Sequence, residues 1–166
     1  GVTLVGPLAV APELALPEGL VAGSDPSTDL RADLARAAKA ARAIGKLDIG
    51  QAAVAVDGRV VALEGAEGTD GLLERVTRLR DTGRIAKTGG VLVKCMKPTQ
   101  DPRLDLPGIG PKTAAAVRRA GLDGVAGDAG RALLVGRAET IAAFEDEGLF
   151  LVGLPPPRDE AGGGND

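Results

Sequence analysis

The chain has 166 residues, of which 44% are hydrophobic and 1% aromatic, and its formal net charge is −3. This length suits one domain with appendages, and the acidic balance argues against general nucleic-acid affinity, which needs a basic field. Because the chain has no His and one Cys, zinc sites, His-based catalytic triads and internal disulfides are excluded. Any metal would then be a hard cation, such as Mg²⁺, on oxygen ligands.

The sequence also bears on the cellular setting. We expect no signal peptide, and the sequence has no apolar run near the roughly 18 residues that a membrane span needs. The single Cys95 suits the reducing cytoplasm. Because residue 1 is Gly and the only methionine is Met96, we expect a fragment, a processed form or a trimmed form of a longer product.

The first part of the chain predicts a connection followed by a helix. Residues 1–24 combine an apolar start with three spaced prolines, and we interpret them as an extended connection. Residues 25–27 (Asp-Pro-Ser) are a helix-start signal, and apolar residues then recur at helical spacing. They are Leu30, Leu34, Ala37, Ala41 and Ile44. We therefore predict a helix over residues 30–44, with Gly45 just past its end.

The middle of the chain predicts a hairpin, a helix and a strand. Two β-rich runs flank Asp57 and Gly58, and this pair is a strong signal for a hairpin turn. A second helix is predicted over residues 70–82, because its apolar residues lie on one face, and Gly83 follows as its terminator. A glycine pair then leads into a predicted strand at residues 91–95.

A loop at residues 96–109 precedes Gly110 and Pro111, which match the N-cap and first position of a helix that ends near residue 120. After it we predict two short strands around a tight turn at 128–130, a helix over 138–147, a strand over 150–154 and a disordered tail over 155–166. The alternation predicts an α/β fold, a mixed sheet with an antiparallel hairpin, covered by helices. Residues 25–154 would form the main domain.

The segment 94–113 has the composition of a phosphate-binding site. The glycines of residues 106–115 (LPGIGPKTAA) let the backbone approach an anion, and the next helix offers free N–H groups. The candidate donors from this segment are Lys94, Lys97, Arg103, Gly110, Lys112 and Thr113. A simple tight turn with Pro111 at the helix start is the alternative interpretation.

Acidic residues supply the second part of the candidate site. The carboxylate of Asp105, close to Arg103, suits a metal ligand or a base that orients water, and the alternative is a turn-forming aspartate. Glu64, Glu67 and Asp70 recur at three-residue spacing. They fit either metal or hydroxyl ligands, or a solvated segment in which Asp70 or its neighbour Thr69 caps the helix.

The string at residues 106–114 also resembles the turn of helix-hairpin-helix DNA-binding motifs. That hypothesis requires a helix that ends just before Leu106, which Pro98 and Pro102 oppose. The acidic net charge opposes it as well.

Three segments of the chain together resemble a known family. Residues 43–73, 90–113 and 130–153 carry most of the markers LDIGQ, EGTD, KP-x-Q-x-x-R-x-DLP-x-IG and AGR. These resemble the C-terminal domain of LpxI-type UDP-2,3-diacylglucosamine pyrophosphatases, over about residues 1–154. The resemblance implies an Mg²⁺-dependent hydrolase of lipid A assembly. It would cleave UDP-2,3-diacylglucosamine to 2,3-diacylglucosamine 1-phosphate (lipid X) and UMP by water attack on the α-phosphorus.

The resemblance also implies a set of site residues. The catalytic aspartate of the family lies in the DLP triplet, which is Asp105 here, and Glu64 matches as a neighbour. The expected substrate-binding residues are Thr69, Lys94, Lys97, Gln100, Arg103, Gly110 and Thr113. The expected magnesium ligands are Glu67, Asp70 and Asp105. Residues 94–96 and 101–102 depart from the family pattern.

The resemblance further implies partners and a location. Family members carry an N-terminal domain before this region, so we expect that missing domain, or a second subunit, as a partner. The other expected partners are UDP-2,3-diacylglucosamine and lipid X, without nucleic acid. The expected location is the cytoplasm, with peripheral contact at the inner membrane. The leading alternative to an enzyme is a module that binds a nucleotide sugar or phospholipid head group without turnover.

Overall fold

The computed structural model describes residues 5–101 and 103–156. The helices are α1 (Pro7–Val10), α2 (Thr28–Lys46), α3 (Gly68–Asp81), α4 (Pro111–Arg119) and α5 (Arg137–Asp146), with a 3-10 turn at Pro12–Leu14. The strands are β1 (Gly19–Ala22), β2 (Ala52–Val56), β3 (Arg59–Leu63), β4 (Val91–Lys94), β5 (Gly108–Ile109), β6 (Gly124–Asp128), β7 (Leu133–Leu134) and β8 (Phe150–Leu154).

Six of the strands form one mixed sheet in the order β1-β8-β6-β4-β2-β3. Strands β4, β6 and β8 are parallel, whereas β2 is antiparallel to both β4 and β3, and β1 is antiparallel to β8. The C-terminal ends of β3, β4, β6 and β8 therefore lie along one edge of the sheet, which we call the carboxyl edge. The predicted mixed α/β fold class is confirmed.

Helices cover both faces of the sheet. Alternate strand residues point to opposite sides, so Ala53 and Val93 pack under α2, whereas Val54 and Leu92 pack under α3, α4 and α5. The core is built from aliphatic residues with Phe144 and Phe150 as its aromatic members. None of the helices in the described part of the chain is long and apolar enough to cross a membrane.

The predicted hairpin is confirmed, and the predicted end of α2 is wrong. Asp57 and Gly58 adopt positive φ angles of 51° and 75°, as the tight turn between β2 and β3 requires. The helix α2 continues through Gly45 to Lys46. The residue with positive φ after it is Asp48, at 55°, because aspartate tolerates the left-handed conformation better than most residues do.

The N-terminal segment differs from the extended connection predicted for residues 1–24. Its described part, residues 5–24, contains α1 and the edge strand β1, in which Leu20 pairs with Val152 of β8. Leu16 is 1% exposed and belongs to the core. The domain boundary at residue 25 stays a prediction. The apolar start at residues 1–4 and most of the predicted tail, residues 157–166, lie outside the described residues.

The loop before α4 contradicts the helix-hairpin-helix hypothesis. Residues 96–101 and 103–107 contain no helix. The short strand β5 follows them and pairs in parallel with β7 in a small second sheet. The predicted start of α4 at Pro111, with Gly110 as N-cap, is confirmed. The preceding helix that the DNA-binding motif needs is therefore absent from this described loop.

Candidate active site

The candidate site lies at the carboxyl edge, where several chain segments meet. Glu64 follows β3, Lys94 ends β4, and the loop at residues 96–107 connects β4 to β5. The helices α3 and α4 both begin at this edge. Ligands of open α/β sheets usually bind beyond the carboxyl ends of the strands, so this is the expected position for a site.

Gln100 holds Asp105 in place through a short hydrogen-bond network. The side-chain amide of Gln100 donates from Nε2 to Asp105 Oδ2 over 2.6 Å and to Gln51 Oε1 over 3.2 Å. The Gln100 Oε1 atom accepts from the backbone N–H of Lys97 over 2.9 Å. Asp105 is solvent-exposed. Its Oδ1 atom accepts no hydrogen bond from the described residues, so one carboxylate oxygen is open to a ligand or to water.

Lys97 lies among three acidic residues. Its Nζ atom forms an ion pair with Asp48 Oδ1 over 2.7 Å. The hydrogen bond to Asp48 raises the pKa of Lys97, and attraction to Asp105 and Glu64 contributes in the same direction, against a smaller opposing effect of desolvation. Lys97 is therefore a cation beside Asp105. Reciprocally, Lys97 lowers the pKa of Asp48.

Lys94 is a second, more deeply buried cation of the site. Lys94 is 8% exposed, and its Nζ atom donates a hydrogen bond to the backbone oxygen of Gly108 over 3.0 Å. Desolvation lowers the pKa of Lys94, whereas the nearby Glu64 and Asp70 act to raise it. An ammonium group has three donors, and within the described residues Gly108 is the one hydrogen-bond acceptor of Lys94. The remaining donors are available to a bound anion.

Glu64 and Thr69 form the third side of the site. Glu64 is 6% exposed, and its Oε2 atom accepts a hydrogen bond from Thr69 Oγ1 over 2.8 Å. Thr69 therefore fixes Glu64 and does not cap α3, whose N-cap position is Glu67, without a side-chain hydrogen bond. The backbone approaches closely here: a Cβ atom on Gly50 would lie 2.3 Å from the Glu64 carbonyl oxygen.

Arg103, Gly110 and Thr113, which we predicted to bind substrate, form hydrogen bonds within their own segments. The guanidinium of Arg103 binds Asp101, with contacts of 2.6 to 3.0 Å, and these bonds lower the pKa of Asp101 to about 2. At the start of α4, the backbone N–H of Gly110 donates to Thr113 Oγ1 over 3.2 Å. Both residues therefore serve the helix cap, and the predicted role of Gly110 and Thr113 as phosphate donors is not supported by this arrangement.

The predicted magnesium ligands are not brought together. Glu67 forms an ion pair of 2.7 Å with Arg75, while Asp70 is near Lys94 and Asp105 binds Gln100. Among residues 5–101 and 103–156, no group of three His, Cys, Asp or Glu residues could hold a metal ion. The described side chains therefore do not fit the metal site that we predicted from Glu67, Asp70 and Asp105.

The structure adds two residues that the sequence analysis did not assign to the site. Gln51 accepts from Gln100, and Asp48 pairs with Lys97. Both belong to the LDIGQ marker, directly before β2. The sequence did contain a signal for these two residues, because both are polar and lie just before β2. Since β2 is antiparallel to β4, the start of β2 lies at the same edge of the sheet as the end of β4.

Cys95 is not part of the site chemistry. It follows Lys94 but packs on the opposite face of the sheet, under α2. Burial raises the pKa of its thiol to about 12, and the carboxylate of Asp128 contributes in the same direction. Since the thiolate is the reactive form, Cys95 is a structural residue.

Two comparisons with known proteins show the family of the chain. The family model described as the LpxI C-terminal domain matches residues 17–152. A relative from Caulobacter vibrioides, named UDP-2,3-diacylglucosamine pyrophosphatase LpxI, is 45% identical over 158 residues, which cover 94% of this chain and 56% of the relative. The chain therefore spans little more than half of that relative's length. On these matches, the chain belongs to the LpxI C-terminal domain family.

Proposed function

We propose that this chain is the catalytic C-terminal part of a pyrophosphatase that hydrolyses UDP-2,3-diacylglucosamine to lipid X and UMP, for lipid A biosynthesis. The observation that carries the proposal is the position of Asp105, which the side-chain amide of Gln100 holds beside the cation of Lys97 at the carboxyl edge. The name and 45% identity of the Caulobacter relative support the same substrate. The arrangement offers a carboxylate for water and cations for a diphosphate.

The proposed reaction is a direct attack of water on the α-phosphorus. Asp105 orients the water and accepts one of its protons as the new P–O bond forms. The bond between the α-phosphorus and the bridging oxygen breaks, and the electron pair leaves with lipid X. Lys94 and Lys97 stabilise the negative charge that develops on the phosphate oxygens, an effect that is strong in a partly desolvated site.

Gln100 and Gln51 position these groups. Because Gln100 binds both the Asp105 carboxylate and the backbone of Lys97, it couples the orientation of the base to that of the cation. Gln51, which lies on the neighbouring segment before β2, accepts a hydrogen bond from the amide of Gln100 and restricts its rotation. We expect the loss of either side chain to reduce turnover by allowing Asp105 to rotate, without removing a reacting group.

Magnesium dependence remains a prediction of the family resemblance. The described acidic residues do not form the predicted metal site, so no step of the reaction above is assigned to a metal. Dialysis against a chelator, followed by turnover assays with and without added Mg²⁺, tests the requirement. Recovery of activity only with Mg²⁺ would show that further ligands complete a metal site.

We also propose that a further domain or a second subunit completes the substrate groove, in the cytoplasm and in peripheral contact with the inner membrane. The chain corresponds to 56% of its longer relative. Exposed apolar residues also flank Asp48 and Asp105 in the chain: Leu47, Ile49 and Leu104 are 72%, 52% and 70% exposed. They would contact acyl chains. Co-sedimentation with phospholipid vesicles, before and after Leu47→Ser, tests the membrane contact, and equal binding would contradict it.

The central experiment compares two aspartates. UMP release from UDP-2,3-diacylglucosamine is measured with this chain and with an extended version that also carries the N-terminal part of the Caulobacter relative. We expect Asp105→Ala to lower turnover by about 10² to 10⁴-fold, the usual contribution of a general base. Asp81→Ala, at the exposed far end of α3, is the matched control and should keep the parental rate. Parental turnover in Asp105→Ala would overturn the proposal.

The second candidate function is a module that binds a nucleotide sugar or phospholipid head group without turnover. The observation in its favour is that the chain matches little more than half of the relative. Calorimetric titration with UMP and with lipid X distinguishes the two. Binding of either ligand, together with no hydrolysis in the extended version, would favour the binding module.

A further inference from the structure

A groove between α3 and α4 lies next to the proposed active site. Its volume is about 400 Å³, which is within the usual range for sites that bind small molecules. The lining residues are Asp70, Leu73, Glu74, Thr77, Lys112, Ala115, Ala116 and Arg119. None of them has a role in the reaction described above.

The two walls of the groove carry opposite charges that are not paired with each other. Asp70 and Glu74 lie on α3, and Lys112 and Arg119 lie on α4; all four are exposed. Within the described parts of both helices, no ion pair or hydrogen bond links one wall to the other. Acceptors on one side and donors on the other are therefore available to a ligand between them.

The groove opens at the carboxyl edge, close to the reacting groups. Asp70 lies in the first turn of α3 and is near enough to Lys94 to influence it electrostatically. Lys112 is the second residue of α4, which begins a few residues after Asp105. A molecule whose phosphate lies at Lys94 could therefore extend into the groove between the helices.

The floor of the groove suits a flat ring. Ala115 and Ala116 on α4 are small, and the buried Leu73 of α3 also lines the groove, so an aromatic base can lie against an apolar surface. Carboxylates accept hydrogen bonds from ribose hydroxyls and from the N3–H group of uracil, and cationic side chains donate to its carbonyl oxygens. A pyrimidine nucleoside has both kinds of group.

We propose that the groove between α3 and α4 binds the nucleoside of the uridine nucleotide, so that UMP is held by Glu74, Asp70 and Thr77 on one side and by Lys112 and Arg119 on the other. This inference rests on the proposed function for the identity of the nucleotide. It assigns the two halves of the substrate to different parts of the domain, with the nucleoside along the helices and the reacting diphosphate at Lys94 and Asp105.

Titration with UMP by isothermal calorimetry tests the groove. We expect Lys112→Ala and Glu74→Ala each to raise the Kd for UMP about tenfold, since each removes one hydrogen bond to a charged group. Lys39→Ala is the matched control, because Lys39 is exposed on α2 at the other face of the sheet, and its Kd should equal that of the unsubstituted chain. Circular dichroism confirms the fold of each variant.

A second ligand tests whether the base is recognised. Ribose 5-phosphate should bind the unsubstituted chain at least tenfold more weakly than UMP, because it lacks the ring that lies on the alanines. Equal Kd values for UMP in Lys112→Ala, Glu74→Ala and the unsubstituted chain would overturn the groove assignment, as would a lack of UMP binding at millimolar concentration.

The outcome is separable from that of the proposed function. Hydrolysis that depends on Asp105, together with UMP binding that is unaffected by the groove variants, would refute the groove and leave the function intact. Conversely, UMP binding that depends on Lys112 and Glu74, in an extended version that shows no turnover, would support the groove and refute the hydrolase.

Discussion

Two buried cations lie at opposite ends of β4, and their surroundings differ. At the amino end, Arg80 is 5% exposed and donates to three backbone carbonyls of the turns that precede β4 and β6. At the carboxyl end, Lys94 is 8% exposed and donates to one carbonyl, that of Gly108. The two side chains are similarly buried but differ in their hydrogen bonds. The N–H donors of Arg80 mostly bind backbone carbonyls, whereas Lys94, within the described residues, retains unbound donors near acidic residues.

The difference shows how a structural cation can be distinguished from a functional one. Desolvation lowers the pKa of both side chains, so burial alone does not separate them. The number of donors that already bind backbone carbonyls separates them. A buried donor without a partner lowers the stability of the folded state, so such donors are rare in folded proteins. On this criterion, we infer that the amino end of the sheet contributes stability, and we propose that the carboxyl edge contributes function.

The largest expected effect on stability is that of Arg80→Met. The substitution leaves three carbonyl groups without their donor, so we expect the free energy of unfolding to fall by about 3 kcal/mol. Denaturant titration measures the change. Arg78→Met, on the exposed side of the same helix, is the control and should change the stability by less than about 0.5 kcal/mol. If both variants were equally stable, the structural role of Arg80 would be refuted.

The thiol of Cys95 gives a smaller effect that depends on pH. Burial raises its pKa from 9.0 to about 12, so on titration with alkali the unfolded chain loses this proton before the folded chain does. The contribution of the Cys95 thiol to the free energy of unfolding, measured relative to Cys95→Ala, should therefore be fully present below pH 9. It should decline toward pH 12, by up to about 1.4 kcal/mol per pH unit. Denaturant titrations of both proteins across this range measure the difference. Parallel pH profiles would contradict the buried thiol.

The smallest expected effect is that of Glu67→Ala. Glu67 and Arg75 are 38% and 42% exposed at their side chains, and exposed pairs contribute little, so stability should fall by less than about 0.5 kcal/mol. Turnover and its response to Mg²⁺ should be unchanged. A large loss of Mg²⁺-dependent turnover would instead place Glu67 at a metal and show that the carboxyl edge rearranges during the reaction.

The sequence predicts most helices and strands because their signals are local. Apolar periodicity located α2 and α3, and the turn residues Asp57 and Gly58 located the hairpin. The edge strand β1 was missed because it is stabilised by pairing with β8, at the other end of the chain. No local pattern among residues 19–22 reports that partner.

The candidate site was predictable where its residues share one loop. Lys97, Gln100 and Asp105 contact one another within that loop, as the motif suggests. Gln51 was not assigned, because its approach to Gln100 depends on the pairing of β2 with β4. We predicted that Arg103 binds substrate and that Glu67 binds magnesium. In the structure, each forms an ion pair with a nearby residue of opposite charge.

The most direct test of the contrast between the two ends of β4 is Lys94→Met in the extended version. Turnover of UDP-2,3-diacylglucosamine and the free energy of unfolding are measured on the same preparation. The account predicts a loss of turnover of about 10²-fold, as for other removed transition-state donors, with stability within about 1 kcal/mol of the parent because one hydrogen bond is lost. Parental turnover in the folded variant would contradict the assignment of the carboxyl edge as the catalytic centre.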